Sequence, residues 1–349
     1  MAVDSDVNLD NVELIDVKGA YVSAGFIDLH IHGSGGADVM DAIPEALATI
    51  AHVLPATGTT SFLATTMTMS TEAIEAALEN VKMCQSSLEG AELLGVHLEG
   101  PFINAAKHGA QDARYVQRAH TMWLERYGDL IRMITLAPEC EGGMAFIRRC
   151  AQKYPDVVLS IGHSEANYET SLKSFEAGIS HVTHLFNAMP AYHHRAPGIA
   201  GACFDREGVS CDIIADGVHT HPHHLRLAHK MKGKELILIT DAMRAGCMRS
   251  GSYDLGGRRV EVSGNKAVLE DGTLAGSVLK MNEAVRNMIT HTDMQLGEAI
   301  YTVTEAPAQK LELPKGRLAE GYDADLVIFD EDLQILVTIV AGETIYQKE

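Results

Sequence analysis

The sequence predicts an α/β chain folded as a (β/α)8 TIM-like barrel, with a small β-sandwich-like domain built from both chain ends. Three observations carry this. Eight apolar, strand-like runs alternate with helix-like stretches, which is the number a closed parallel barrel needs. Several of these runs stop at an imidazole or a carboxylate, the position from which such a barrel builds a site on its top face. β-Rich segments also open and close the chain, and 349 residues suit one large domain plus a small one.

The elements follow in order. Residues 1–24 belong to the small β domain, with one strand-like stretch at 12–18 (VELIDVK). The barrel spans 25–246. Its first strand is FIDLHIH (26–32), where alternation puts Asp28, His30 and His32 on one face. A glycine-rich loop follows, then a helix over 44–57 opened by Pro44. SFLATTM (61–67) is the second strand, and 70–84 a helix capped by Ser70. LLGVHLEGPF (93–102) and RMITLAPE (132–139) are the third and fourth strands, separated by a helix near 119–129. A helix over 141–153 leads to VVLSIGH (157–163), and another over 166–178, ended by Gly178, leads to HVTHLFN (181–187). VSCDIIADGVH (209–219) and LILITDAM (236–243) complete the eight. Residues 247–272 read as a β insertion assigned to the small domain. Helices at 277–290 and about 296–311 complete the barrel within 273–312, and 313–349 returns to the small β domain.

Composition narrows the function. The formal charge of −19 repels phosphate at long range and argues against nucleic acid and anionic membranes, while leaving room for a local cationic pocket. No leader-like segment opens the chain, and no apolar run reaches about 18 residues, so a cytoplasmic location is expected. Six scattered cysteines without a C-x-x-C pair read as reduced, structural thiols.

The chemistry sits at the strand ends. Glu99, His163 and His184 come from three different strands, and one carboxylate with two neutral imidazoles suits a divalent metal with positions left open. Any one of them alone is an ordinary core or surface residue; their joint placement is what points to a site. His30 and His32, two apart on one strand, suit a second ion or a share in the first, the alternative being a hydrogen-bonded pair beside a single-metal centre. Asp28 and His97 share their parity and read as barrel-filling supports. Asp241, after four aliphatic positions, is placed to take a proton from an attacking water and return it to a leaving group. Asn187, Ala188, Arg195 and His219 lie near the mouth, where an arginine and a histidine could hold an anion.

The motifs GFIDLHIHG, GVHLEGPF, IGHSEA, THLFNAMP, ADGVH, LITDAM and DGTLAGSVLKM together resemble the N-acetylglucosamine-6-phosphate deacetylase family of the amidohydrolase superfamily, over residues 20–345. The stretch GRLAEGYDADLV (316–327) is similar to that superfamily's returning β tail. The resemblance implies hydrolysis of a 2-acetamido group on a sugar phosphate. Glu99, His163 and His184 match the metal ligands, and Asp241 the acid/base. Asn187, Ala188 through its backbone, Arg195, His219 and the Leu274-Ala275-Gly276 turn match the sugar-phosphate contacts. It also implies zinc or iron as the ion, and a homodimer or homotetramer with phosphate contacts near a subunit interface. Some members replace the first two histidines by Gln-x-Asn and use one metal; His30 and His32 here allow two, with Glu99 able to bridge. Gln111 aligns with a histidine that contacts the substrate carbonyl in some members, and an amide N–H can make that donation. The N terminus looks short by a few strands against the family pattern, which implies either a reduced small domain or a sequence cut short at that end. Two other readings stand beside this one: an amidohydrolase acting on another N-acyl sugar or a cyclic amide, and a non-catalytic barrel scaffold.

Overall fold

A computed structural model describes residues 15–348. Eight strands form one parallel sheet: β1 (Phe26–Ile31), β2 (Thr59–Thr65), β3 (Glu92–Glu99), β4 (Ile131–Leu136), β5 (Val158–Ile161), β6 (His181–Val182), β7 (Ser210–Ile214) and β8 (Leu236–Ile239). Each pairs with its neighbour in sequence. The sheet closes just past β8, where Ile31 and Ala242 form a parallel bridge and the Asp241 N–H donates to the His30 carbonyl at 2.8 Å. All residues of β1 and β2 are buried, as a parallel sheet covered on both faces requires.

The interior of this barrel is polar. The Thr240 hydroxyl donates to Asp28, and the His97 ring lies 2.7 Å from the Thr135 hydroxyl, which meets Thr183 at 2.7 Å. Barrels of this kind are ordinarily filled by branched aliphatic side chains. Here the aliphatic residues of β1, Ile27, Leu29 and Ile31, are core residues of the main apolar cluster.

The outer helices follow from pattern and caps. Thr71–Cys84 buries Ile74, Ala77, Leu78 and Val81, one stripe at helical spacing, and the Ser70 hydroxyl caps it by accepting from the Ala73 N–H at 3.2 Å. Pro44 opens Pro44–Val53 and Gly178 follows Tyr168–Ala177, as expected. Two helices differ from expectation. The stretch 296–311 is broken into Leu296–Tyr301 and Glu305–Lys310, with the Thr302 and Thr304 hydroxyls bonded back to Ala299 and Ile300 carbonyls at the break. A helix at Gly198–Asp205 has no counterpart among the helices read from the sequence, and residues 198–204 are all buried. A helix without a polar face shows no amphipathic period.

Outside the barrel, the chain ends and the insertion form two separate sheets. Tyr21–Ala24, Leu326–Phe329, Ile335–Val340 and Glu343–Gln347 make a four-stranded antiparallel sheet from the chain's two ends. The insertion makes a separate three-stranded sheet, Gly251–Leu255, Arg258–Ser263 and Lys266–Leu269. The reason is position. The terminal sheet docks near the starts of β1 and β2, with the Thr338 hydroxyl donating to the Pro55 carbonyl. The insertion leaves from the finish of β8 and packs Leu255, Val260 and Leu269 with Met67 and Met243. Residues 12–14 of the stretch expected as a strand lie outside the described residues, and 15–17 have no regular structure. No described helix is long and apolar enough to cross a membrane, and the six cysteines are free thiols.

Candidate metal and substrate site

Six side chains converge where the barrel strands end. His30 and His32 come from β1, Glu99 ends β3, and His163, His184 and Asp241 lie just past β5, β6 and β8. The last three have left-handed backbone, with φ of 47°, 33° and 49°. Side chains bearing a Cβ rarely adopt this region, and such strain gathers at functional sites. It is held in place by neighbours. The His163 carbonyl accepts the Asn104 N–H at 2.8 Å, the His184 N–H donates to the Asp212 carboxylate, and the Asp241 carbonyl accepts the Ser277 N–H at 2.7 Å.

Hydrogen bonds also choose the reactive nitrogens. Nδ1 of His32 faces the Thr65 carbonyl at 3.2 Å, and Nδ1 of His163 the Lys107 carbonyl at 2.8 Å. A carbonyl only accepts, so these Nδ1 atoms carry the protons and both Nε2 atoms present lone pairs to the centre.

At that centre Glu99 stands between two halves. Its Oε1 is 3.1 Å from His184 Nε2, 3.2 Å from His163 Nε2 and 3.4 Å from His30 Nε2. Its Oε2 is 3.2 Å from His32 Nε2. The Nε2 atoms of His163 and His184 are 3.1 Å apart, those of His30 and His32 3.3 Å, and Asp241 Oδ1 lies 3.4 Å from His32. Nitrogen lone pairs this close repel unless a positive charge lies among them. Two triads sharing Glu99, His30/His32/Glu99 and Glu99/His163/His184, each have their ligand atoms within 4.8 Å of one another and fit a divalent ion.

The electrostatics agree. Burial pushes Glu99 up, but the surrounding imidazoles outweigh it and hold the carboxyl well below the usual range. Asp241 is likewise pushed up by burial and held below its ordinary value by His30 and His32. Burial alone would lower His184, yet the Glu99 and Asp241 carboxylates raise it to about 9. His97 lies outside this balance: burial keeps it well below the usual imidazole value, consistent with a neutral ring filling the barrel. The cluster is thus built to retain positive charge.

A cavity of about 240 Å³ opens onto these groups. Gln111, Asn187, Ala188, His219, Leu274 and Gly276 line it. His219 is oriented by Asp216, whose Oδ2 accepts from its Nδ1 at 2.7 Å. At Gly276 (φ 62°) an added Cβ would crowd the Asp241 carbonyl and the Met243 side chain at 3.2 Å. Ala275 is fully buried, its N–H bonded to the Ala267 carbonyl of the inserted sheet. Arg195 is exposed, bonds the His194 ring at 2.6 Å, and is not among the residues lining the cavity of its own chain. Asp212, Asp216 and the cavity residues Met67, Ala110, Leu255 and Thr273 were not singled out from sequence. Asp216, in the turn ADGVH, carried a signal, being three residues before a predicted contact; the others reach the site only through folding.

A closed barrel with imidazoles and carboxylates gathered at the ends of five strands defines the class of metal-dependent barrel hydrolases. The model of the amidohydrolase family matches residues 21–345, and this chain belongs to that family. It is 43% identical over 329 residues to the N-acetylglucosamine-6-phosphate deacetylase of Bacillus subtilis, covering 91% of this chain and 83% of the relative. The crystal structure of the Pasteurella multocida N-acetylglucosamine-6-phosphate deacetylase is similar with a TM-score of 0.92 at 31% identity, over 98% of this chain and 90% of that one. A mutant of the Mycobacterium smegmatis enzyme, solved in complex with N-acetyl-D-glucosamine-6-phosphate, has a TM-score of 0.89 at 32% identity, over 94% and 87% of the two chains.

Proposed function

We propose that this chain hydrolyses the acetamido group of N-acetylglucosamine 6-phosphate to glucosamine 6-phosphate and acetate. The observation that carries the reading is the meeting of Glu99, His163 and His184 with Asp241 at the floor of one cavity, in a chain 43% identical to a deacetylase acting on that substrate.

Glu99, His163 and His184 would hold one divalent ion, zinc or iron, and His30 and His32, with Glu99 shared, a second. When bound, such an ion supplies Lewis acidity that polarises the amide carbonyl and lowers the pKa of water. The chain's own residues do the rest. Asp241, kept ionised by His30 and His32, accepts a proton from the attacking water as the new carbon–oxygen bond forms. It then delivers that proton to the amine nitrogen as the carbon–nitrogen bond breaks, so that acetic acid and a primary amine leave, the acid passing its remaining proton to the amine to give acetate and an ammonium, and the Asp241 carboxylate is restored. His219, fixed by Asp216, and the Asn187–Ala188 turn hold the sugar phosphate. Arg195, exposed and outside its own cavity, contributes to phosphate binding where a second copy presents it to a neighbouring site, which fits a homodimer or homotetramer.

The test is acetate release from N-acetylglucosamine with and without its 6-phosphate. The expected result is a kcat/KM at least 100-fold higher for the phosphorylated sugar, on the order of 3 kcal/mol for a buried anion contact. Equal rates would remove phosphate from the assignment and favour a different N-acyl substrate.

A further inference from the structure

The loop after β3 supports two of the candidate ligands. Its Asn104 N–H and Lys107 carbonyl hold His163. Further on, Gln111 reaches Glu99. Its Nε2 donates to Glu99 Oε2 at 2.6 Å, and its Oε1 accepts the Thr68 backbone N–H at 2.6 Å. The second bond fixes which way the carboxamide faces. A backbone N–H can only donate, so the atom facing Thr68 is the oxygen and the atom facing Glu99 is the nitrogen. Gln111 is 3% exposed and is held at both ends of its amide.

This matters because of what Glu99 has to do. Its Oε1 faces His163 and His184, whereas its Oε2 faces His32. A carboxylate free to turn about its last torsion could give both oxygens to one side. A donor fixed against Oε2 resists that rotation and keeps one oxygen for each half. We propose that Gln111 is a positioning residue for Glu99: the chain Thr68–Gln111–Glu99 holds this carboxylate as a ligand shared between the His30/His32 half and the His163/His184 half. An amide nitrogen has two protons, so one serves Glu99 while the other remains for a substrate carbonyl in the cavity that Gln111 also lines. The inference rests on the metal reading above.

The experiment is a titration of metal-free protein with Zn²⁺ against a chromophoric chelator, for wild type and for Gln111→Met, which keeps length and bulk but loses both hydrogen bonds. The expected result is zinc binding weakened about 10- to 100-fold, while the metal-free variant unfolds at the wild-type temperature. Gln111→Glu, which keeps an acceptor for Thr68 but sets a like charge against Glu99, should lose more; it also gives the answer should the Met variant not fold. Wild-type zinc affinity in the variants overturns the proposal and leaves the metal reading standing. So does a loss of affinity matched by an equal loss of stability in the metal-free protein, since that marks a merely structural role. Wild-type protein that takes up no zinc overturns the metal reading itself.

Discussion

Among the described residues, two places gather at least three potential ligands, and they differ in what stands at the centre. At the barrel mouth Glu99, His163 and His184 meet, with His30, His32 and Asp241 beside them, and no lysine or arginine among the described residues lines the cavity. Near the start of β3, Glu92, Asp323 and Asp325 meet around Lys315, whose Nζ lies 2.6, 2.9 and 2.7 Å from them. Burial pushes this lysine down, but the three carboxylates outweigh it and hold it above its ordinary value. The chain supplies a cation in one place and withholds it in the other. Convergence of donors is common to both; the missing countercharge and the left-handed backbone distinguish a site from a staple. The staple ties the terminal sheet, through Asp325 just before Leu326, to the barrel wall at Glu92.

Three substitutions can break or sharpen this contrast. The largest effect is expected from Asp241→Asn, which keeps shape but removes the group that moves protons. Turnover should fall by about 10³-fold or more, roughly 4 kcal/mol, while elemental analysis still finds metal in the Glu99/His163/His184 half; near-normal turnover would take Asp241 out of its role. The next is Lys315→Met. Leaving buried Asp325 without its cation should cost about 3 kcal/mol by denaturant unfolding, toward the lower end for a buried pair because Glu92 and Asp323 are half-exposed. Deacetylation should persist. The vacated carboxylates offer only oxygen, so millimolar Ca²⁺ should restore part of the loss. No recovery would show that the three carboxylates cannot hold an ion even when their lysine is gone.

The smallest effect concerns a lysine with no such ring. Among the described residues Lys310 bonds the carbonyl and hydroxyl of Ser180, at 2.7 and 2.8 Å, and burial lowers it from 10.5 to about 8. A base whose folded pKa is depressed sheds its proton earlier in the native state. Between about pH 8 and 10.5 the unfolded chain therefore binds more protons, and stability rises with pH; below pH 8 the penalty is present in full. Lys310→Met should lack this rise. The difference between wild type and variant across that window, on the order of 2 kcal/mol, is the quantity to measure; parallel curves would mean Lys310 is neutralised by some other group.

Much of the site was legible because each donor ends an apolar run. LILITDAM announces both a buried strand and the carboxylate at its finish, and the eight-strand count follows from repeating that observation. Other features carried no local mark. The helix at Gly198–Asp205 is buried on every side, so nothing in its sequence alternates. The insertion and the chain ends are both β-rich, and nothing local shows that their strands pair into separate sheets. Gln111 and Asp212 support Glu99 and His184 across 12 and 28 residues of sequence, and no spacing rule links such pairs. Arg195 reads as a phosphate contact from its place in a mouth loop, yet it is exposed and is not among the residues lining the cavity.

The cylinder's seam has its own consequence. First and last staves are joined at residues of the candidate site: the Asp241 backbone N–H donates to the His30 carbonyl, and that of His32 to the Ala242 carbonyl. Warming that parts these staves would scatter His30, His32 and Asp241 together, while His163 and His184, mounted mid-wall, stayed in place. Were the seam to part first, the candidate site would come apart at its stitching while most of the wall still stood.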